Sequence, residues 1–160
     1  MREVTGTLPP DDTQTAEKPH VSRSIDLMIV DDEKMMIDLL VDLFSNDYKD
    51  INVKAFTISE KAVEFLEHST VDLIITDLMM PKVSGLDLLR RAKELNDEVL
   101  VVLITAYGSL ETTLEAIQYG AYDYLTKPFQ VQEFELMVKN AIERIYLNRE
   151  LSVLRAETEN

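Results

Sequence analysis

Five polar residues of the sequence each lie at or soon after the end of a short apolar run: Asp31, Asp32, Asp77, Thr105 and Lys127. Carboxylates gathered in a partly dry cleft repel one another, so a cation must neutralise them or some must stay protonated. Oxygen ligands favour a hard cation, and a short three-carboxylate site with room for waters and a phosphate favours Mg²⁺ over Mn²⁺ or Ca²⁺. Lys127 would add a positive charge that meets a phosphate oxygen or Asp77.

A carboxylate beside a metal ion, a lysine and a hydroxyl group is suited to covalent phosphoryl transfer. Asp77 is the candidate nucleophile because it stands alone after its apolar run. The adjacent Asp31 and Asp32 are the candidate metal ligands, and Thr105 is the hydroxyl donor.

The hydrophobic pattern predicts the elements that would bring these side chains together. Apolar runs predict strands at residues 25–30, 53–56, 71–76, 99–104 and 122–125. Amphipathic stretches predict helices at residues 33–44, 59–67, 86–95 and 110–119, and a last helix from residue 131. Ser59 is the expected N-cap of the second helix. Strict alternation predicts an α/β fold, a parallel sheet with helices on both faces.

Ligands of open parallel sheets bind beyond the carboxyl ends of the strands, so the five polar residues should share one rim. Each has another explanation when it is taken alone. Asp31 and Asp32 could cap the next helix, and Asp77 could be a loop carboxylate before a turn. Thr105 could be a loop hydroxyl and Lys127 a solvated lysine before a turn proline. Their coincidence on one predicted rim favours a functional site.

The order of these residues resembles the receiver domain of two-component response regulators. The resemblance covers residues 25–146 and rests on these motifs: Asp31-Asp32, Asp77-Leu78-Met79-Met80-Pro81 with Gly85, Thr105-Ala106, and Tyr124-Leu125-Thr126-Lys127-Pro128-Phe129. It implies a doubly wound, flavodoxin-like (βα)5 fold with strand order 2-1-3-4-5.

The resemblance also implies that Asp77 accepts a phosphoryl group from a histidine kinase or phosphotransfer protein in a Mg²⁺-dependent reaction. Asp32 would bind the metal directly and Asp31 mainly through water. Asp77 and the backbone carbonyl of Met79 would complete the protein ligands. The domain would catalyse only its own phosphorylation and slow dephosphorylation.

Further residues are implied in the switch that follows phosphorylation. Lys127 would bridge to the phosphate, and the Thr105 hydroxyl and the Ala106 amide would turn toward it. Tyr124 would then change rotamer and alter partner binding through the fourth helix, fifth strand and fifth helix. Taken alone, Tyr124 is equally explained as a core or half-buried aromatic.

Composition limits the kind of protein this is. A 160-residue chain with 46% hydrophobic residues supports one domain with a core, and the absence of cysteine excludes disulfides and thiolate metal sites. A net charge of -14 opposes binding of nucleic acid by this segment. No apolar run approaches the ~20 residues that span a bilayer. We therefore expect a soluble, cytoplasmic protein.

The ends of the chain differ from its centre. We expect a flexible N-terminal arm over residues 1–24, the receiver over 25–146, and a helical extension or linker over 147–160. Leu147, Leu151 and Leu154 continue the helical pattern with coiled-coil spacing, which predicts either a dimer contact or a solvated tail. The fourth helix, fifth strand and fifth helix would offer another dimer surface. The chain would then be a stand-alone receiver or part of a larger regulator with an output domain beyond this helix.

Residues 104–129 are similar to receivers of the nitrogen-regulatory transcription activators (sigma-54 activators), in which such a helix links to an ATPase and a DNA-binding domain. Two other function classes stay open. Phosphatases with an aspartyl phosphate usually carry a second aspartate two residues after the nucleophile, a spacing that Asp31-Asp32-Glu33 does not offer clearly. A docking module that never meets phosphate is the other class, and the set of Asp77, Thr105 and Lys127 argues against it.

Overall fold

Strands and helices alternate along the part of the chain that the computed structural model describes, residues 23–106 and 108–158. The strands are β1 Ile25–Val30, β2 Ile51–Phe56, β3 Leu73–Asp77, β4 Leu100–Thr105 and β5 Asp123–Thr126. The helices are α1 Lys34–Asp47, α2 Ser59–His68, α3 Gly85–Leu95, α4 Leu110–Gln118 and α5 Val131–Thr158. The arm expected over residues 1–24 lies outside the described residues except for its last two.

All strand pairs are parallel, and the sheet order is β2-β1-β3-β4-β5. The predicted α/β fold and strand order are therefore confirmed. The order reverses between β1 and β3, where such sheets form a crevice at their carboxyl edge. Val30 lies opposite Thr76 in this pair. The residues that follow, Asp31 and Asp77, consequently leave the two strands at the same height.

Two apolar layers hold the sheet, one on each face. α1 and α5 cover one face, where Phe44 and Phe134 meet edge to face with ring centroids 5.7 Å apart. α2, α3 and α4 cover the other face with residues such as Leu88 and Ala116. Every residue of β3 and β4 is buried, as expected for central strands covered on both sides. The rigid centre of the sheet therefore carries Asp77 and Thr105.

Strand ends differ from the sequence prediction by one residue at the places that matter for the site. Asp77 and Thr105 are the last residues of β3 and β4 rather than the first residues after them. Strand pairing extends this far because the Leu78 amide donates to the Ile104 carbonyl at 3.1 Å, and the Lys127 amide donates to Thr105 at 2.8 Å. Both side chains are thus fixed by the sheet and not by a loop.

The predicted N-cap role of Ser59 is wrong. The cap residue of α2 is Ile58, and Ser59 is the first helical residue. The buried Ser59 hydroxyl instead donates to the Pro81 carbonyl at 3.1 Å. It therefore fastens the start of α2 to the loop that follows Asp77.

α5 has 28 residues, which corresponds to about 42 Å of helix. The face of α5 that packs on the sheet includes the partly buried Ile142 and four buried residues: Met137, Val138, Ala141 and Ile145. Beyond residue 146 the helix still contacts the domain, since Arg149 Nη2 lies 3.0 Å from Asp72 Oδ2. The Asp72 carboxylate also accepts a hydrogen bond from the Asp26 amide at 2.8 Å. The helical extension is thus tied to the amino-terminal edge of the sheet.

Gly85 lets α3 begin directly against the end of β3. A Cβ at this position would collide with the Asp77 carbonyl and lie 2.8 Å from the Leu78 Cα. Ser84 caps the helix, because its hydroxyl accepts from the Asp87 amide at 3.1 Å while the Asp87 carboxylate accepts from the Ser84 amide. The loop after Asp77 is therefore closed tightly on the strand that carries it.

We expect Gly85→Ala to lower the free energy of unfolding by about 3 kcal/mol, because main-chain atoms must move to admit the methyl group. Gly120→Ala is the matched control. Its Cβ would meet only the Lys93 side chain, at 3.5 Å, and the cost arises from the φ of +89°, about 1 kcal/mol. Urea unfolding measures both variants. Equal losses would show that the contact of Gly85 with β3 is not tight.

Candidate functional site

Asp31, Asp32 and Asp77 come together beyond the carboxyl ends of β1 and β3. One carboxylate oxygen of each lies within 4.8 Å of those of the other two. Asp31 is 2% exposed and Asp77 is 8% exposed, whereas Asp32 is exposed. The cluster is therefore a partly buried acidic cleft that opens to solvent on the side of Asp32.

Lys127 bridges the two buried acids. Its Nζ lies 3.0 Å from Asp31 Oδ2 and 3.1 Å from Asp77 Oδ2, and its side chain is 13% exposed. The sequence predicts the contact with Asp77, and the structure adds the contact with Asp31. One lysine among three carboxylates leaves an excess of two negative charges if all are ionised.

Burial and charge act in opposite directions on these groups. Burial raises the pKa of Asp31 above its usual value, although hydrogen bonds from the Glu33 amide and Lys127 lower it in part. Burial lowers the pKa of Lys127, but the hydrogen bonds and charges of Asp31 and Asp77 outweigh burial, and the pKa ends above its usual value. Lys127 is therefore charged at neutral pH, and a buried acid beside it is incompletely compensated.

Backbone amides fix the orientation of the two buried carboxylates. The Glu33 amide donates to Asp31 Oδ1 at 2.9 Å, and the Met79 amide donates to Asp77 Oδ1 at 3.2 Å. Both bonds run from a residue to the amide two positions later, the geometry of an Asx turn. The alternative that Asp31 or Asp32 caps α1 is wrong, because the N-cap is Glu33, whose side chain makes no capping hydrogen bond. The carboxylates face the cleft instead.

The remaining predicted residues surround this cluster. Thr105 is fully buried at the end of β4, and Ala106 follows it at the surface. The Met79 side chain is 58% exposed, so only its backbone is held near Asp77. Tyr124 lies on β5, pairs with Leu103 of β4 and is half-buried. The structure thus brings four predicted residues into direct proximity: Asp31, Asp32, Asp77 and Lys127. Of the others, Thr105 ends β4, Tyr124 lies within β5, and Met79 and Ala106 lie in the segments that follow β3 and β4.

Sequence reasoning missed the residues that support the site without belonging to it. Ser59 and Gly85 hold the loop after Asp77, and Gly108 lies against Tyr124. Gly85 was visible in the sequence as part of a motif, but its close approach to β3 was not. The Ser59–Pro81 bond joins residues 22 positions apart, for which local sequence carries no signal.

Comparison with known proteins gives a consistent match over the ordered core. A family model described as the response regulator receiver domain matches residues 27–139.

Among the described residues, none of the helices combines the length and apolar composition needed to cross a membrane.

Similar proteins include the response regulator SaeR of Staphylococcus epidermidis, which is 34% identical over 119 residues. That match covers 74% of this chain and 51% of SaeR, so the chain spans about half of that relative. A receiver domain protein from Clostridium thermocellum has a TM-score of 0.70 and 31% identity over 77% of this chain and 98% of its own. NtrX from Brucella abortus, solved with ATP, has a TM-score of 0.72 and 30% identity over 82% of this chain and 30% of its own.

The excess negative charge predicts opposite effects for two partners of one ion pair. In metal-free protein, Lys127→Met should lower the free energy of unfolding by about 2 kcal/mol, because it leaves buried carboxylates unpaired. Asp77→Asn should raise it by about 1 kcal/mol, because it removes one of three mutually repelling charges. Urea unfolding at low salt with EDTA tests both. The control Asp38→Asn removes an exposed charge from α1 and should change stability by less than about 0.5 kcal/mol. A loss of stability in Asp77→Asn would contradict the charge argument.

Proposed function

This chain belongs to the family of response regulator receiver domains, the signalling domains of two-component systems, and we propose that it accepts a phosphoryl group on Asp77 from a histidine kinase or phosphotransfer protein. The observation that carries the proposal is the environment of Asp77. It ends a central strand, contacts Lys127 at 3.1 Å and lies beside Asp31 and Asp32. Among the acids of the cleft, it is the one that the sheet itself holds in place.

In the proposed reaction, a carboxylate oxygen of Asp77 attacks the phosphorus of a phosphohistidine. A P–O bond forms, the P–N bond breaks, and its electron pair stays with the imidazole. The product is an acyl phosphate on Asp77. The Met79 amide, which donates to Oδ1 at 3.2 Å, holds the carboxylate in a fixed orientation during this step. Positioning and neutralisation of charge are the main contributions that the protein makes.

We propose Mg²⁺ as the cofactor, held directly by Asp32 and Asp77, mainly through water by Asp31, and by the backbone carbonyl of Met79. The donor chemistry fits, since the three carboxylates supply hard oxygen ligands and carry two more negative charges than Lys127 neutralises. When bound, the ion would supply positive charge that offsets repulsion between the carboxylates and the incoming phosphoryl oxygens.

In the proposed reaction, Lys127 follows the transferred group. Its ammonium already contacts Asp77 Oδ2, and Asp31 keeps it within reach while the contact changes from carboxylate to phosphoryl oxygen. In the proposed switch, the Thr105 hydroxyl and the Ala106 amide turn toward the phosphoryl group. Tyr124 then changes rotamer, which shifts a pre-existing equilibrium between surfaces that bind different partners.

The rest of the chain fits a module inside a longer signalling path. We propose residues 25–146 as the receiver, residues 1–24 as a segment outside it, and residues 147–160 as an extension toward an output domain or partner. The nitrogen-regulatory activators remain the proposed subfamily, which the match to NtrX supports. We also propose a cytoplasmic location. The net charge of -14 supports the absence of nucleic-acid contact by this segment.

We expect the purified protein to become labelled when it is incubated with acetyl phosphate and Mg²⁺. The label should be stable to acid and labile to base, as an acyl phosphate is, and EDTA should prevent it. Asp77→Asn should abolish labelling, while Asp38→Asn, which removes an exposed acid outside the cleft, should retain it. Mass spectrometry of the intact protein measures the added phosphoryl group.

Each alternative function gives a different result in the same assay. Labelling that survives Asp77→Asn would overturn the assignment of the acceptor. Sustained turnover of a small phosphate ester would indicate a phosphatase. Absence of labelling from acetyl phosphate and from every phosphorylated donor protein would favour a docking module.

The exposed leucines of α5 predict a dimer contact. Leu147, Leu151 and Leu154 are 49%, 40% and 56% exposed and follow coiled-coil spacing. Sedimentation at increasing concentration should show self-association that Leu151→Asp weakens by at least about tenfold. Leu95→Asp is the matched control, because Leu95 on α3 is 42% exposed. A protein that stays monomeric with and without residues 147–160 would contradict the dimer contact. Self-association that Leu151→Asp leaves unchanged would assign dimerisation to the surface of α4, β5 and α5.

A further inference from the structure

The loop between Asp77 and α3 contains a strained turn. Lys82 has a φ of +66°, in the left-handed region that residues with a side chain rarely adopt. The Val83 amide donates to the Pro81 carbonyl at 2.8 Å, a bond between residues two positions apart. A positive φ inside such a bond is typical of the rarer, strained form of the γ-turn. The surroundings therefore hold Lys82 in a conformation that it would not adopt by itself.

The start of α2 holds this turn from outside the loop. The Ser59 hydroxyl donates to the same Pro81 carbonyl at 3.1 Å, and Ser59 is 4% exposed. Lys82 Nζ also lies 3.6 Å from Glu60 Oε2, but this pair is exposed to solvent and contributes little. The bond from Val83 moves with the loop, whereas the bond from Ser59 joins the loop to a helix that packs on the sheet. Ser59 is thus the buried contact by which α2 keeps the strained turn in place.

The backbone of Met79 lies between two fixed points of this loop. Its amide donates to Asp77 Oδ1 at 3.2 Å. On the other side, the ring of Pro81 fixes its own φ and restricts Met80 to extended conformations. The Pro81 carbonyl is held in turn by Ser59. The direction of the Met79 carbonyl is therefore set jointly by Asp77 and by Ser59.

We propose that Ser59 is a positioning residue for the Met79 carbonyl: its hydroxyl holds the strained turn, and the turn fixes the direction of the carbonyl. In the proposed function this carbonyl is a ligand of Mg²⁺, and the role of Ser59 toward the metal rests on that assignment. Ser59 acts through Pro81 and not by contact with the metal. Without the hydroxyl, Lys82 is free to return to a negative φ, and the Met79 carbonyl loses its defined direction.

A purely structural role of Ser59 leads to a different expectation. In Ser59→Ala the Pro81 carbonyl keeps its bond from the Val83 amide, so the substitution leaves this carbonyl with a partner. Alanine is also well tolerated in a helix. The urea midpoint of the metal-free protein should therefore change little. A loss of Mg²⁺ affinity without a matching loss of stability is the result that separates positioning from general support of the fold.

Calorimetric titration of the unphosphorylated protein with MgCl₂ measures the affinity. We expect Ser59→Ala to bind Mg²⁺ on the order of tenfold more weakly than wild type, as when a group that orients a metal ligand is removed. Ser45→Ala is the matched control, because the Ser45 hydroxyl donates to the Val41 carbonyl at 2.9 Å on α1, away from the loop. The control should retain the wild-type affinity. Equal affinities of Ser59→Ala and wild type would overturn the proposal.

The strain at Lys82 supplies a second test. Glycine adopts a φ of +66° without strain, so Lys82→Gly removes the reason for the turn to relax. It should recover severalfold of the Mg²⁺ affinity that is lost in Ser59→Ala. Because Lys82→Gly also removes a positive charge, the same substitution in the wild-type background is the reference. An equal gain in both backgrounds would show that Ser59 does not act through the turn and would overturn the proposal.

Hydrogen exchange of the metal-free protein tests the hold on the loop without any metal. In Ser59→Ala the amides of Met79 and Val83 should exchange about tenfold faster, because both of their bonds lie within the released loop. The Leu78 amide, which donates to the Ile104 carbonyl at 3.1 Å, belongs to the sheet and serves as the internal reference. NMR spectroscopy reports each amide separately.

Unchanged exchange of the Met79 and Val83 amides with an unchanged Leu78 reference would overturn the proposal. If Leu78 also exchanges faster, the substitution has loosened the sheet, and the comparison of Lys82→Gly in the two backgrounds decides. Faster exchange of the loop amides alone, in a protein that binds no Mg²⁺, would support the hold of Ser59 on the loop while rejecting the proposed metal site.

Discussion

The ammonium group of Lys127 is the contact on which the arrangement of the cleft depends. It lies about equally far from one oxygen of Asp31 and one of Asp77, at 3.0 and 3.1 Å, and so joins two acids that would otherwise repel each other. The bridge is incomplete, since a third carboxylate stands beside it. A cleft that folds with excess negative charge is less stable than a neutral one, but the same charge favours the proposed binding of a divalent cation.

The sheet makes this arrangement possible because the charged residues lie at or just beyond the ends of parallel strands. β1 and β3 are neighbours although α1, β2 and α2 separate them in sequence. The register places Asp31 beside Asp77, and β5 delivers Lys127 through its pairing with Thr105. Gly85 and Ser59 then close the loop that follows Asp77. Together these contacts fix the positions of the carboxylate oxygens, so close packing extends to the edge of the cleft.

The strand order was implied by the resemblance to receiver domains. Sequence patterns predicted the α/β fold and the four residues of the charged cluster, because alternation of elements and the chemistry at strand ends are both local signals. They failed where long-range contacts decide. The ends of β3 and β4 were misplaced by one residue, since pairing with neighbouring strands extends Asp77 and Thr105 into the sheet. Ser59 satisfied the rule for an N-cap, yet it bonds to Pro81. The space at Gly108 is defined by a ring on another element, Tyr124, and no periodicity reports it.

The salt bridge between Arg149 and Asp72 has a geometric consequence. Asp72 directly precedes β3, and Asp77 is the last residue of that strand, so the proposed phosphoryl acceptor and the anchor of the long helix lie at opposite ends of one extended segment, about 17 Å apart. A central strand bonded on both sides behaves as a stiff rod. The helix is therefore oriented in the frame of the sheet rather than hanging from it by a hinge. Whatever continues from that helix inherits a defined direction relative to the cleft.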